Sequence, residues 1–132
     1  MNEKKARLCV VVASLILASP TLFLRYLPAT DLPQYLAATT ILQHLRDPHW
    51  DFARYYDTAW SRTLSWLPYV LMRGLATMLP LAAAMRVVLF AALVLQPIGV
   101  MAMLSALGKP RLYALLCFPL VYSSQFFWGL LA

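Results

Sequence analysis

Three stretches of this chain contain no Asp, Glu, Lys or Arg: 8–24, 87–107 and 112–132. A helix of about 20 mostly apolar residues spans the hydrocarbon core of a bilayer. The last two stretches reach that length, and the first is shorter but is followed by Arg25 and Tyr26, which can reach the headgroups, before Pro28 ends the span. The pattern therefore predicts an all-α integral membrane protein whose spans cover about 8–27, 87–107 and 112–131.

A fourth apolar stretch, 64–84, is interrupted by Pro68, Arg73, Gly74 and Pro80. As a full span it would place Arg73 near the bilayer centre, at a cost of about 2.5–3.5 kcal/mol. As an interfacial helix it would let the guanidinium reach water. We therefore prefer three spans plus one juxtamembrane helix, with four spans as the alternative.

Basic residues precede the first predicted span (Lys4, Lys5 and Arg7) and separate the last two (Lys109 and Arg111). Cytoplasmic loops are rich in Lys and Arg, so three spans would leave both groups in the cytoplasm. The interpretation is a multi-pass protein of the bacterial inner membrane with a cytoplasmic N-terminus. Residues 28–63 then form an external loop.

The two ends of the chain carry further expectations. The N-terminus begins like a secretory signal, but Pro20 sits where a cleavage site would be sought, which favours an uncleaved signal anchor. The sequence also stops within an apolar run. We expect it to be a fragment of a longer protein with a missing C-terminal membrane region.

Composition agrees with insertion in a lipid bilayer. Hydrophobic residues make up 62% of the chain and charged residues 12%, against about 45–50% and about 25% in soluble domains. The net charge of +6 comes from residues that flank or interrupt apolar segments, which favours lipid-headgroup contacts and excludes nucleic acid as a partner. Cys9 and Cys117 lie within predicted spans and read as small apolar residues.

The external loop predicts amphipathic juxtamembrane helices. Asp31 can cap a helix that has Pro33 in its first turn and that ends at Asp47-Pro48. Its apolar stripe, set opposite Gln34, Thr39, Gln43 and Arg46, contains Leu36, Ile41, Leu42 and Leu45. A second short helix would present an aromatic face made of Trp50, Phe52, Tyr55, Tyr56 and Trp60. Such aromatic density is typical of a segment lying on the membrane surface.

Candidate chemistry is confined to this loop, which holds both histidines and four of the five acids. Asp31 would lie at the membrane boundary, as a helix cap, a general base or a ligand of a divalent cation. His44, His49 and Asp51 match no tight metal-binding spacing, so no metal site is assigned to them. Arg54 and Arg62 are candidates for contact with a lipid phosphate, or for surface ion pairs with nearby acids.

Several segments together resemble a known family: 27–37 (Leu-Pro-Ala-Thr-Asp-Leu-Pro-Gln-Tyr-Leu-Ala), Tyr55-Tyr56, Leu67-Pro68, 85–90, 107–111, 119–122 and 127–129. They are similar to the N-terminal part of bacterial polytopic membrane proteins laid out like the GT-C class of lipid-linked-sugar glycosyltransferases. Those relatives tend to have His where this chain has Tyr35. GT-C enzymes also have more spans and a second external acidic motif.

The resemblance implies a polyprenyl-phosphate sugar donor, sometimes a divalent cation, and Asp31 as the acidic residue near the acceptor. This chain alone is then expected to be inactive, as the N-terminal portion of a membrane glycosyltransferase. The alternative is a small non-catalytic membrane protein whose external aromatic loop binds a partner or lipid. A transporter is disfavoured because no acid or histidine lies within a predicted span.

Overall fold

The computed structural model of this protein describes residues 3–24, 31–58 and 66–121. The regular secondary structure in these ranges is helical, without a strand, as the all-α class predicts. The α-helices are α1 (Glu3–Ala18), α2 (Pro20–Phe23), α3 (Leu32–His44), α4 (Trp66–Leu75), α5 (Leu81–Ala106) and α6 (Phe118–Val121). Within the same ranges, 3₁₀ helices cover Phe52–Arg54 and Arg111–Cys117.

The first apolar stretch forms α1 and α2, which meet at Ser19. Its hydroxyl donates a hydrogen bond of 2.8 Å to the carbonyl of Ile16, while Pro20 has no N–H with which to continue the helical ladder. Taken together, Glu3–Phe23 spans 21 residues and is long and apolar enough to cross a membrane. Residues 25–27 of the predicted span lie outside the described ranges.

The second helix of this kind is α5, with 26 residues. It begins at Leu81, earlier than the predicted start at residue 87, and so includes Arg86. Only 28% of the most apolar window of either long helix is buried. The core helix of a soluble protein would be mostly covered, so most of the surface of these two helices faces outward.

Gly108 ends α5 in a left-handed conformation, with φ of 64°. The N–H of Gly108 donates to the carbonyl of Ser105 at 3.2 Å, and the N–H of Lys109 donates to that of Leu104 at 2.8 Å. These two bonds form a Schellman motif, which glycine favours because it has no Cβ to clash there. The following Pro110 keeps the chain from re-entering the helix.

Packing along α5 sets the direction of its neighbours. Val10 of α1 shares a buried cluster with Met101 and Ala114, and Ala18 shares another with Leu93. Because the residue numbers fall along α5 as they rise along α1, the two helices are antiparallel. Residues 111–121 turn back along α5, and the remainder of the predicted span 112–131 lies outside the described ranges.

Helices α3 and α4 cover the N-terminal part of α5. Their shared core, closed by the α5 side chains Met85, Val88 and Leu89, contains Leu32, Tyr35 and Met72. The stretch 64–84 is not one continuous helix, because α4 ends at Leu75 and α5 begins at Leu81. Helix α4 has 10 residues, which makes it about 15 Å long at about 1.5 Å per residue. That is roughly half the thickness of a hydrocarbon core.

The predicted apolar stripe is not the buried face of α3, because its four members are only half-buried: Leu36, Ile41, Leu42 and Leu45. The buried face follows Leu32, Tyr35 and Thr39, so Thr39 faces the core and not the polar side. The Thr39 hydroxyl donates to the carbonyl of Tyr35 at 2.8 Å. This bond within the helix removes the penalty of burying a hydroxyl and leaves the methyl group free to pack.

Candidate functional site

Asp31 occupies the N-cap position of α3 but does not cap it. The residue is half-buried, and its side chain makes no hydrogen bond to the helix N-terminus. One reason is Pro33, the second residue of the helix, which has no N–H to offer. Within the described ranges, the carboxylate also has no ion pair and accepts no hydrogen bond. The capping interaction predicted for Asp31 is absent.

Two tyrosines flank this helix start. Tyr35 lies one turn after Asp31 on the buried face of α3, and its ring faces that of Tyr69 on α4 with centroids 5.2 Å apart. Burial, and to a smaller extent the neighbouring Tyr35, raises the pKa of Tyr69 above its ordinary value of 10.0. Sequence reasoning missed Tyr69, because the contact joins two helices and no local spacing marks it.

Arg54 lies on the 3₁₀ helix Phe52–Arg54, where a short aromatic helix was predicted. Its guanidinium is 3.9 Å from the carboxylate of Asp51 and lies over the ring of Tyr55, 5.6 Å from the centroid. Both charged side chains are well exposed, so the pair contributes little to stability. Within the described residues no ion pair joins Arg54 to Asp31, and Arg62 lies outside them.

Between α3 and Tyr56 the loop stacks a run of aromatic rings. His44 stacks on Trp50 at 5.1 Å, Trp50 contacts Phe52 at 5.3 Å, and Phe52 meets Tyr56 edge-on at 6.1 Å. Trp50 and Tyr56 are exposed. The run replaces the regular helix with a compact turn that keeps aromatic surface on the outside.

The histidines of the loop engage a carboxylate and not one another. The Nδ1 atom of His44 lies 3.4 Å from an oxygen of Asp47, and the backbone N–H of His49 donates to the same carboxyl group at 3.0 Å. Across the described residues no three His, Cys, Asp or Glu side chains are grouped to hold a metal ion. The cation that the GT-C resemblance sometimes implies therefore has no ligand set here, and Asp31 alone does not provide one.

The C-terminal end of α5 lies beside the two groups of basic residues, at 4–7 and 109–111. The Arg111 guanidinium lies 3.4 Å from the Glu3 carboxylate, and its Nε donates to the Ser105 hydroxyl at 2.7 Å. These contacts bring the start of α1 and the turn after α5 to the same end of the bundle. Asp31 lies towards the other end, because α3 packs on the N-terminal part of α5.

Comparison with known proteins adds no family. No protein-family model matches this chain, and neither a curated protein nor a solved structure matches it.

Proposed function

We propose that this chain supplies the acceptor-side segment of a bacterial inner-membrane glycosyltransferase of the GT-C type, which uses a polyprenyl-phosphate sugar. The observation that carries the proposal is the Asp31 carboxylate, which stands at a helix start without capping it. A carboxylate that is not engaged in holding its own helix is available to a substrate. The GT-C resemblance expects an acidic residue at this position.

The proposal includes a topology of three crossings with the N-terminus in the cytoplasm. Two observations support it: α1 and α5 are antiparallel, and the Glu3–Arg111 contact brings both basic groups to one end. The short length of α4 supports an interfacial position for that helix. Asp31 would then lie on the external side.

In this mechanism Asp31 acts as a general base. Its carboxylate accepts the proton of the acceptor hydroxyl while the acceptor oxygen forms a bond to the anomeric carbon of the donor sugar. The bond from that carbon to the phosphate oxygen breaks, and the polyprenyl phosphate leaves with the electron pair. No step is routed through a cation, because the described residues offer no ligand set for one.

The test uses the whole glycosyltransferase to which this chain would belong, in proteoliposomes with labelled polyprenyl-phosphate hexoses and pentoses. We expect wild type to release polyprenyl phosphate, and Asp31→Asn to lower the rate by about 10²-fold or more, the range of a general base. Asp57→Asn is the matched control, since Asp57 is an exposed acid of the same loop. Equal rates for wild type and Asp31→Asn would show that Asp31 is not the general base.

The aromatic turn supports a second candidate, a non-catalytic protein whose loop docks on the lipid surface. Trp50 is 47% exposed and Tyr55 72% exposed, and such rings favour the headgroup level. A variant retaining Trp50 as its single tryptophan tests this in vesicles. Two results together would favour docking over catalysis: quenching of Trp50 fluorescence by lipids brominated near the headgroup, and an unchanged transfer rate in Asp31→Asn.

A further inference from the structure

The bundle end formed by the start of α1 and the turn after α5 is strongly cationic. We define the basic platform as its five basic side chains: Lys4, Lys5, Arg7, Lys109 and Arg111. Glu3 is the one acid among the described residues at this end, so the platform carries five positive charges against one negative charge, a net of +4. The two halves are far apart in sequence, and folding brings them together.

Three contacts fix the platform. Ala114 and Val10 pack against Met101 just inside it, which holds the start of α1 beside the turn. Arg111 is held at 2.7 Å by the Ser105 hydroxyl and at 3.4 Å by Glu3. The Arg111 side chain is 30% exposed and that of Glu3 is 79% exposed, so the Ser105 bond fixes the guanidinium more firmly than the solvated ion pair does.

We infer that the basic platform binds the headgroups of anionic phospholipids. It lies where two helices long enough to cross a membrane end, which is the level of lipid phosphates. Clusters of four to eight Lys and Arg beside a membrane helix attract anionic lipid electrostatically. Lys109 is exposed beside the half-buried Arg111, so a lysine ammonium and a hydrogen-bonded guanidinium lie at the same bundle end.

This inference does not depend on Asp31, and it holds for either orientation of the protein. It commits to a lipid headgroup and not to a free phosphate ion, because exposed cations spread across a bundle end form a surface and not an enclosed anion pocket. Adding phosphatidylglycerol and inorganic phosphate separately distinguishes a lipid headgroup from a free phosphate ion.

The test follows the melting temperature of the full chain in neutral detergent while phosphatidylglycerol, phosphatidylcholine or inorganic phosphate is added. We expect a saturable stabilisation by phosphatidylglycerol that weakens at high salt, and little effect of the other two. Lys109→Gln should raise the half-saturating lipid concentration about fivefold, the contribution of one basic residue near an anionic surface. Arg46→Gln, which removes an exposed cation of the external loop, should not change it.

Ser105→Ala provides a second variant that keeps all five charges. It removes the acceptor of the Arg111 Nε bond, so we expect a smaller loss of affinity than for Lys109→Gln with an unchanged salt dependence. Three outcomes would each overturn the inference. They are equal stabilisation by phosphatidylcholine, equal effects of Lys109→Gln and Arg46→Gln, and a stronger displacement of the lipid by inorganic phosphate than by sodium chloride at the same ionic strength.

Discussion

Tyr35 of α3 and Tyr69 of α4 lie with their ring centroids 5.2 Å apart and their planes inclined by 31°. The pair joins α3, which follows directly after Asp31, to a helix that packs on α5. Offset aromatic pairs of this kind stabilise beyond the area they bury. The position of the candidate acid therefore depends on a contact between two segments that are separate in sequence.

Replacing Tyr69 by Ala should loosen α3 from α4. We expect a loss of about 2 kcal/mol in unfolding free energy, below the full cost of deleting a buried aromatic ring because Tyr69 is only half-buried. Tyr69→Phe keeps the ring and should cost much less. Tyr113→Ala is the control, since that ring is exposed, and thermal melting in detergent compares all three. Equal losses for Tyr69→Ala and Tyr113→Ala would contradict the packing role.

The raised pKa of Tyr69 predicts a loss of stability at alkaline pH. In the unfolded chain this phenol ionises near its ordinary value of 10.0, whereas burial and Tyr35 keep it protonated to higher pH in the folded protein. Above pH 10 the unfolded state therefore binds fewer protons, and the unfolding free energy falls as pH rises. Tyr69→Phe should flatten this fall in a series of melting curves. An unchanged slope in the variant would assign the effect to other groups.

Met72 and Met78 offer a matched pair of substitutions. Met72 is fully buried between α3 and α5, while Met78 is 89% exposed. Met72→Ala should lower the unfolding free energy by about 2–5 kcal/mol, since it leaves a cavity. Met78→Ala should change it by less than about 0.5 kcal/mol. Similar effects of the two variants would mean that α4 does not pack on α5 as described.

The long apolar helices were the part of the fold that the sequence predicted best. The charge-free stretch 87–107 became α5, and the helix began earlier because the residues before it, including Arg86, also form helices readily. The burial of Thr39 was not predictable from the polar pattern, since a hydroxyl that bonds to its own helix behaves as an apolar group. The Tyr35–Tyr69 pair could not be found either, because nothing local specifies which helices meet.

The candidate site was likewise predicted only in part. The sequence placed Asp31 at the start of a helix, which the structure confirms, but it also predicted a capping bond that is absent. Pro33 explains part of the difference because it removes one of the N–H groups that a cap can bind. Asp31→Ala should therefore change the unfolding free energy by less than about 0.5 kcal/mol, where loss of a working cap costs about 1 kcal/mol. A melting-curve loss as large as that of a cap would show that the carboxylate stabilises α3.

Accessibility to a membrane-impermeant thiol reagent in intact cells tests the proposed topology. Single cysteines are placed at Asp51 and at Lys109 in a Cys9→Ser, Cys117→Ser background. Both positions are exposed on the protein surface, so a difference in labelling reports the membrane and not burial. Three crossings with a cytoplasmic N-terminus predict labelling at position 51 and protection at position 109.

Permeabilised cells supply the control, because both cysteines should then react. Labelling of both positions in intact cells would place the two sites on the same outer side, which requires the stretch 64–84 to cross and gives four spans. Protection at position 51 would put the loop that holds Asp31 in the cytoplasm. A carboxylate there could not reach a donor on the outer side, so the glycosyltransferase proposal would fail with the topology.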